Sequence, residues 1–393
     1  LAFVGLDAQL ARLSIGQLCL HASMAGARMA APLWALDHGY SKAAAGAVVA
    51  LFALAQVFLM LPAGRFADRH GLKRPVRLCV IAATVGIGLA ALWPAYAVLC
   101  ITGPLCGAAA GVAHLSLQRH VGRAATSPAQ LRQAFSWLSI GPAAANFVGP
   151  MLAGVAIDLA GFRVAFALLG LLPLVAWLLV RAVPEVPNDA APAGERSPAW
   201  DLLREPLIRR LLLMNWVMNV CFDLHSFMVP VLGHERDLPA SVIGSILGAF
   251  AAGSMAVRLT MPVVGPRVRE WVWVAGASAV TSAMLLVYPF APSAWTMGLC
   301  SAAMGMAFGS VQPMVTSMLH QVTPRHRHGE AIAVRLTMIN VSMFVMPSLL
   351  GVFSGVVGVS AMFWALGLLV GASSPLSLKL RQVGDAHPSA DEP

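Results

Sequence analysis

The stretch Gly64-Arg65-Phe66-Ala67-Asp68-Arg69-His70-Gly71-Leu72-Lys73-Arg74 decides the fold. It reads as a basic, glycine-punctuated turn between two apolar runs, 43–63 and 76–93. Each run is about the 20 residues that cross a bilayer as a helix. A connection this short makes the two helices antiparallel neighbours. Gly64 permits close backbone approach, and Gly71 suits a left-handed or tight conformation.

Composition carries this reading to the whole chain. Its 393 residues are 58% hydrophobic and only 11% charged, with mean hydropathy +0.76. A soluble domain carries roughly 25% charged residues, so the chain reads as an all-α polytopic membrane protein. The net charge of +9 comes from residues between apolar runs, not from a basic patch with aromatics. Nucleic acid is therefore not an expected partner, and Lys and Arg are expected to set topology. Cys19, Cys79, Cys100, Cys106, Cys221 and Cys300 all lie in apolar runs without a CxxC pair. No metal, disulfide framework or cofactor is expected from them. The stretch 1–9 lacks a basic n-region and a cleavage site, so no signal peptide is expected.

Twelve spans are expected, at 13–35, 43–63, 75–93, 96–118, 133–159, 162–182, 208–232, 240–262, 271–289, 294–316, 331–352 and 357–378. Between the sixth and seventh, 184–206 holds Pro184, Pro187, Pro192, Pro198 and Pro206 with mixed charges. That composition reads as a linker, with 200–204 as a short interfacial helix. The expected organisation is a six-helix half over 1–183, a linker over 184–206, a second six-helix half over 207–380 and a tail over 381–393. Arg65, Arg69, Lys73, Arg74, Arg77, Arg119, Arg123, Arg267, Arg269, Arg325 and Arg327 follow even-numbered spans. The opposite loops offer little beyond Lys42, Arg163 and Arg236. By the positive-inside bias both termini are expected in the cytoplasm of a cell with an inner membrane.

The halves repeat. Gly149-Pro150-Met151-Leu152-Ala153-Gly154 matches Met346-Pro347-Ser348-Leu349-Leu350-Gly351, with the prolines 197 residues apart. At that spacing Gly161, Phe166, Leu169 and Gly170 fall on Gly358, Phe363, Leu366 and Gly367. Gly107 and Gly111 fall on Gly305 and Gly309 at a spacing of 198. Gly265-Pro266-Arg267 reads as a decayed copy of the opening motif.

Polar residues inside the spans form stripes at helical spacing. Gln17, His21, Met24 and Arg28 share a face of the first span, and Asn215, Asn219 and Asp223 share one of the seventh, with His225 close by. Gly107, Gly111, His114 and Gln118 line up in the fourth span; Gln312, Thr316 and His320 follow in the tenth. Ionisable groups facing lipid are costly, so they turn towards water, a partner or a transported species. Arg28 is a fixed positive charge, and Asp223, about mid-span, is a candidate titrating carboxylate. The plainer alternative is that the two satisfy each other. His21 and His114 are candidate proton relays, with helix–helix contacts as the alternative.

Gly64, Asp68, Arg69, Gly71, Lys73 and Arg74 fill the fixed positions of the loop 2–3 signature of the major facilitator superfamily, which the chain resembles over nearly its whole length. Arg28-Met29-Ala30-Ala31-Pro32-Leu33 and Gly46 look like its drug:proton antiporter branch. Gly149-Pro150 followed by Gly154 is similar to that branch's span 5 antiporter motif, although Ala145 and Ala153 stand where glycine is common. The resemblance implies twelve helices in two pseudo-symmetric halves, with spans 1, 4, 7 and 10 lining a central path. It also implies a cytoplasmic latch in which Asp68 is the acid and Arg69 and Lys73 its partners. Relatives often carry an Arg in span 4 where this chain has Gly103, and span 1 has no mid-membrane acid. Any coupling carboxylate is then Asp223, or the protein is a uniporter.

The expected function is alternating-access secondary transport, with proton-coupled export of small amphipathic or drug-like compounds favoured. A proton-coupled importer or uniporter of a small anionic metabolite is the alternative. A polytopic enzyme would need clustered acids or a metal set, and a sensor an added soluble domain. Expected partners are a small-molecule substrate, protons and the lipid bilayer, with the protein a monomer.

Overall fold

The structure, a computed structural model, describes residues 2–124, 128–185, 199–264, 269–323 and 327–379. Among them no strand occurs. A chain in lipid must satisfy each backbone N–H and C=O within its own segment, which the helix does. The first helices are α1 (Ala2–Asp37), α2 (Lys42–His70), α3 (Lys73–Leu92), α4 (Tyr96–Ala124) and α5 (Pro128–Val180). After a 3-10 helix, Ala199–Arg204, come α6 (Pro206–Glu235), α7 (Ala240–Val264) and α8 (Glu270–Val287). The last are α9 (Ala294–Val322), α10 (His328–Val357) and α11 (Val359–Lys379).

The expected spans fall on these helices, the fifth and sixth sharing α5, which breaks at Gly161 (φ 81°, ψ 174°). Gly358, its expected counterpart, separates α10 from α11 with φ 87° and ψ 158°. The repeat seen in the sequence is thus a repeat in backbone conformation. Nine stretches among the described residues are long and apolar enough to cross a membrane. One, Ile140–Val180, runs 41 residues across the Gly161 break, about 60 Å and therefore enough for two passes of a ~30 Å core. α1, which packs on α2, α4, α5 and α6, is outside that set because Gln17, His21 and Arg28 interrupt its apolar run.

The opening stretch is less of a turn than expected. α2 continues through it to His70, and only Gly71 and Leu72 separate α2 from α3. Arg69 and His70 in the last turn complement the negative end of the helix. Gly71 ends it with φ 72°, its N–H bonding Ala67 O at 3.1 Å. The 29 residues of α2 make a rod of about 43 Å, longer than the apolar core, so its last turns extend beyond the membrane. Gly265-Pro266-Arg267, most of the linker and the tail lie outside the described residues.

The helices form two groups. α1 packs on α5, α4 and α2, and α3 on α4 and α5; α7 packs on α9, and α8 on α9 and α11. The groups meet along α5–α7, α2–α10 and α1–α6. Large apolar side chains such as Leu159, Leu259 and Val356 point outward, where lipid rather than water suits them. One end of the bundle carries the turn at Gly39 and the other the turn at Gly71; they are called here the Gly39 face and the Gly71 face.

Candidate functional site

The α1 and α6 stripes meet. Arg28 Nη2 lies 3.6 Å from Asp223 Oδ1, with the aspartate side chain fully buried and the arginine 13% exposed. Ser342 Oγ of α10 donates to Asp223 Oδ2 at 3.0 Å. Among the described residues, Asp223 Oδ1 has no hydrogen-bond partner. A buried carboxylate held by one charge and one hydroxyl is under-solvated, since it has room for about four donors. Such a group responds strongly to anything that alters its charge or its partner.

Beside the pair is a cavity of about 210 Å³ between α1, α5, α6, α7 and α9. Arg28 and Arg258 face it, with Phe222, Phe250, Phe308 and His225. The three phenylalanine rings pack together, with centroids 5.0–5.8 Å apart. His225 stacks on Phe250 at 4.6 Å, and its Nε2 bonds Ser301 Oγ at 2.8 Å. Ser301 in turn bonds Tyr288 OH at 2.9 Å. Arg258 was not anticipated, although a charge inside an apolar span is a legible signal.

Three further clusters surround this centre. In the first, His114 of α4 bonds Gln17 through Nδ1 and Gln118 through Nε2, the latter at 2.9 Å. His21 meets the same imidazole edge-on at 5.7 Å, and its buried Nδ1 has no hydrogen-bond partner among the described residues. Gln17, His21 and His114 are therefore together, but about two to three helical turns along α1 from Arg28. In the second, Arg335 of α10 gathers Asn215, Asn219 and Gln312. It donates to Asn215 Oδ1 at 3.2 Å, to Thr316 Oγ1 at 2.9 Å and to Gln312 Oε1. Gln312 reaches Asn219 Oδ1 at 3.5 Å. Sequence reasoning assigned those residues to the substrate path and overlooked Arg335, which sits near a span edge where arginine reads as a loop residue. The side chain of His320 lies outside the described residues.

The third cluster is the opening motif. Lys73 N donates to Glu185 Oε1 at 2.9 Å, and a Cβ on Gly71 would lie 3.3 Å from that oxygen. Glu185, five residues beyond the end of α5, thus holds the α2–α3 turn. Arg69 and Arg74 are exposed. Gly64 and Asp68 lie within α2 but outside the residues whose side chains are described.

The span 5 motif is a contact surface. A Cβ on Gly149 would lie 2.4 Å from Ala22 O of α1, and one on Gly154 2.3 Å from Ala240 O of α7. Pro150 O would meet a Cβ on Gly244 of α7 at 2.4 Å. The repeat reproduces this across α2 and α10, where Gly351 meets Lys42 O at 2.5 Å and Gly46 meets Pro347 O at 2.3 Å by the same measure. Around Gly154, Gly244, Gly351 and Gly46, Asp158 Oδ1 and Oδ2 accept from Ala240 N at 2.9 Å and Ser241 N at 2.8 Å. Lys42 pairs with Glu235. The two helix groups are fastened together at the Gly39 face.

A family model described as Major Facilitator Superfamily matches residues 13–267 and 211–393. The multi-drug resistance efflux pump PmrA of Streptococcus pneumoniae is 24% identical over 254 residues, which is 62% of this chain and 63% of the pump. Among solved structures, a bacterial homologue of the human lysosomal transporter Spinster, inward-facing and unoccupied, superposes with TM-score 0.78 at 15% identity. That match covers 98% of this chain and 99% of the homologue. A POT family transporter in complex with a thioalcohol-conjugated peptide superposes with TM-score 0.75 at 13% identity, covering 95% and 96%. At these identities the superpositions speak to the fold alone.

Proposed function

The chain belongs to the major facilitator superfamily and is a multi-pass membrane transporter, and from that premise we propose that it is a secondary transporter exporting small amphipathic compounds by alternating access. The observation that carries this is the Arg28–Asp223 pair at the wall of a phenylalanine-lined cavity where the two helix groups meet. At about 210 Å³ the cavity in this conformation is smaller than the roughly 300–1,000 Å³ typical of drug-sized ligand pockets. The relative named as an efflux pump and the α5 contact surface support export.

The positive-inside bias puts the Gly71 face in the cytoplasm. The fastened Gly39 face is then the outer seal. Residues 1–183 and 207–380 are the two bodies that rock about the cavity. Asp223 is the proposed proton carrier. A proton there removes Arg28's counter-charge, linking cargo site and proton site in one pair. Gln17, His21, His114 and His225 are lesser members of the path. Asn215, Asn219 and Gln312 act by holding Arg335, and Glu185 with Gly71 and Lys73 forms a cytoplasmic fastening, with Asp68 kept as the proposed latch acid.

A second reading, import or uniport of a small anion, is favoured by the two guanidiniums on one cavity. Inside-out vesicles carrying a proton gradient, read by acridine orange, test the first. A panel of small aromatic amines, amides and sulfonates is added. Release of the gradient by at least one compound, absent from vesicles lacking the protein and lost in Asp223→Asn, is the expected result. If Asp223→Asn releases it as well as the native chain, the coupling assignment falls. If only right-side-out vesicles accumulate a compound, export gives way to import.

A further inference from the structure

We infer that the cavity takes a small amphipathic organic anion, with Arg258 of α7 as the residue that reads its charged group. The inference rests on the proposal that cargo passes through this cavity.

The argument begins with a count of charge. Arg28 and Arg258 both face the cavity, and no Asp or Glu is among the residues lining it. Arg28 has a counter-ion in Asp223. Arg258 has neither ion pair nor hydrogen bond among the described residues. It cannot shed its proton to escape the cost of an unpaired charge. Among the described residues, the cavity wall therefore carries one uncompensated positive charge.

A comparison within the same molecule shows what a structural arginine looks like here. Arg335 is buried, where Arg258 is half-buried, and it spends its donors on Asn215, Thr316 and Gln312. Arg258 lines the cavity and, among the described residues, spends none of its five N–H donors on the protein. A planar fork of donors suits a carboxylate, sulfonate or phosphate oxygen pair. The rest of the lining suits the rest of such a molecule. Phe222, Phe250 and Phe308 form a continuous aromatic wall against which a flat or aliphatic body packs. A cation of the same shape meets the same wall but faces net positive charge. An anion also gains a driving force that a neutral compound lacks, because an inside-negative potential pushes it outward.

The test uses purified full-length protein and three probes that share a naphthalene body: naphthalene-2-sulfonate, naphthalene-2-sulfonamide and the 2-naphthyltrimethylammonium cation. Binding is read by calorimetry for the native chain, Arg258→Gln and Arg258→Lys. The native chain is expected to bind the sulfonate about tenfold or more tightly than either other probe, the scale of a charge-assisted hydrogen bond. Arg258→Gln loses about that factor for the sulfonate and stays within about twofold for the sulfonamide. Arg258→Lys, which keeps the charge, retains most of the preference. Equal or tighter binding of the cation by the native chain overturns the inference, as does sulfonate binding untouched by Arg258→Gln, or no binding of any probe. Proteoliposomes under a valinomycin-imposed potassium potential separate this from the transport reading. Sulfonate that binds through Arg258 and is never moved sinks transport through the cavity and leaves the recognition intact.

Discussion

Asp158→Ala should open the Gly39 face. Asp158 belongs to α5, yet its two carboxylate oxygens accept from the first two N–H groups of α7, at 2.9 and 2.8 Å. Those donors have no partner inside their own helix, so α5 supplies the cap that α7 lacks. Loss of an N-cap acceptor costs about 0.5–2 kcal/mol, and a negative charge at a helix N-terminus adds about 0.3–1 kcal/mol. Asp158 is exposed to solvent, which argues for the lower end, about 1 kcal/mol. When the groups part, water takes over the two donors, so this energy belongs to the closed state alone. The open-to-closed ratio should rise about fivefold. Spin labels at Trp93→Cys and Trp295→Cys, 73% and 85% exposed and one in each group, read it by electron–electron double resonance in a background without the six native cysteines. The expected result is growth of the long-distance population, with Asp158→Asn, which keeps one acceptor oxygen, in between. An unchanged distribution in Asp158→Ala would refute the reasoning, and a shift to shorter distances would reverse it.

The same label pair tests the glycine seal. Gly154→Leu places a side chain where the Ala240 carbonyl lies 2.3 Å from the new Cβ, so closure should be lost and transport with it; Gly351→Leu should do the same through Lys42 O, 2.5 Å away. Arg335→Leu strips the acceptors on Asn215, Thr316 and Gln312 of their donor. The purified protein should lose about 1–3 kcal/mol, seen as a lower thermal midpoint, while its preference for naphthalene-2-sulfonate persists.

Much of this architecture is legible in the sequence, for reasons visible in particular residues. Apolar runs reveal spans because lipid leaves the backbone few alternatives. Gly161 and Gly358 reveal the repeat because a backbone position closed to other residues marks each copy. Arg28 and Asp223 stand out because lone charges in apolar runs are expensive, and they do meet. Asp158, Glu185 and Arg335 are less legible. Each sits near the end of a span, where a charged residue reads as solvated, and each gains its meaning from a backbone or side chain far along the chain. Arg258 was legible by the same rule as Arg28, since it too interrupts an apolar run. The extent of α2 beyond the membrane was hidden because glycine and charge suggest a turn, whereas helix capping by Gly71 alone was enough.

Gly161 and Gly358 have one more consequence. A Cβ on either would meet nothing within 4 Å, so bulk is not what keeps side chains away. The obstacle is handedness: φ of 81° and 87° with ψ of 174° and 158° is the mirror image of ordinary extended backbone, a region that among the natural residues only glycine occupies freely. D-alanine would rest there as comfortably as L-alanine does in a β-strand. The corners that turn each helix group back on itself are thus selected by chirality, and the chain reverses direction at both with the only residue that has no hand.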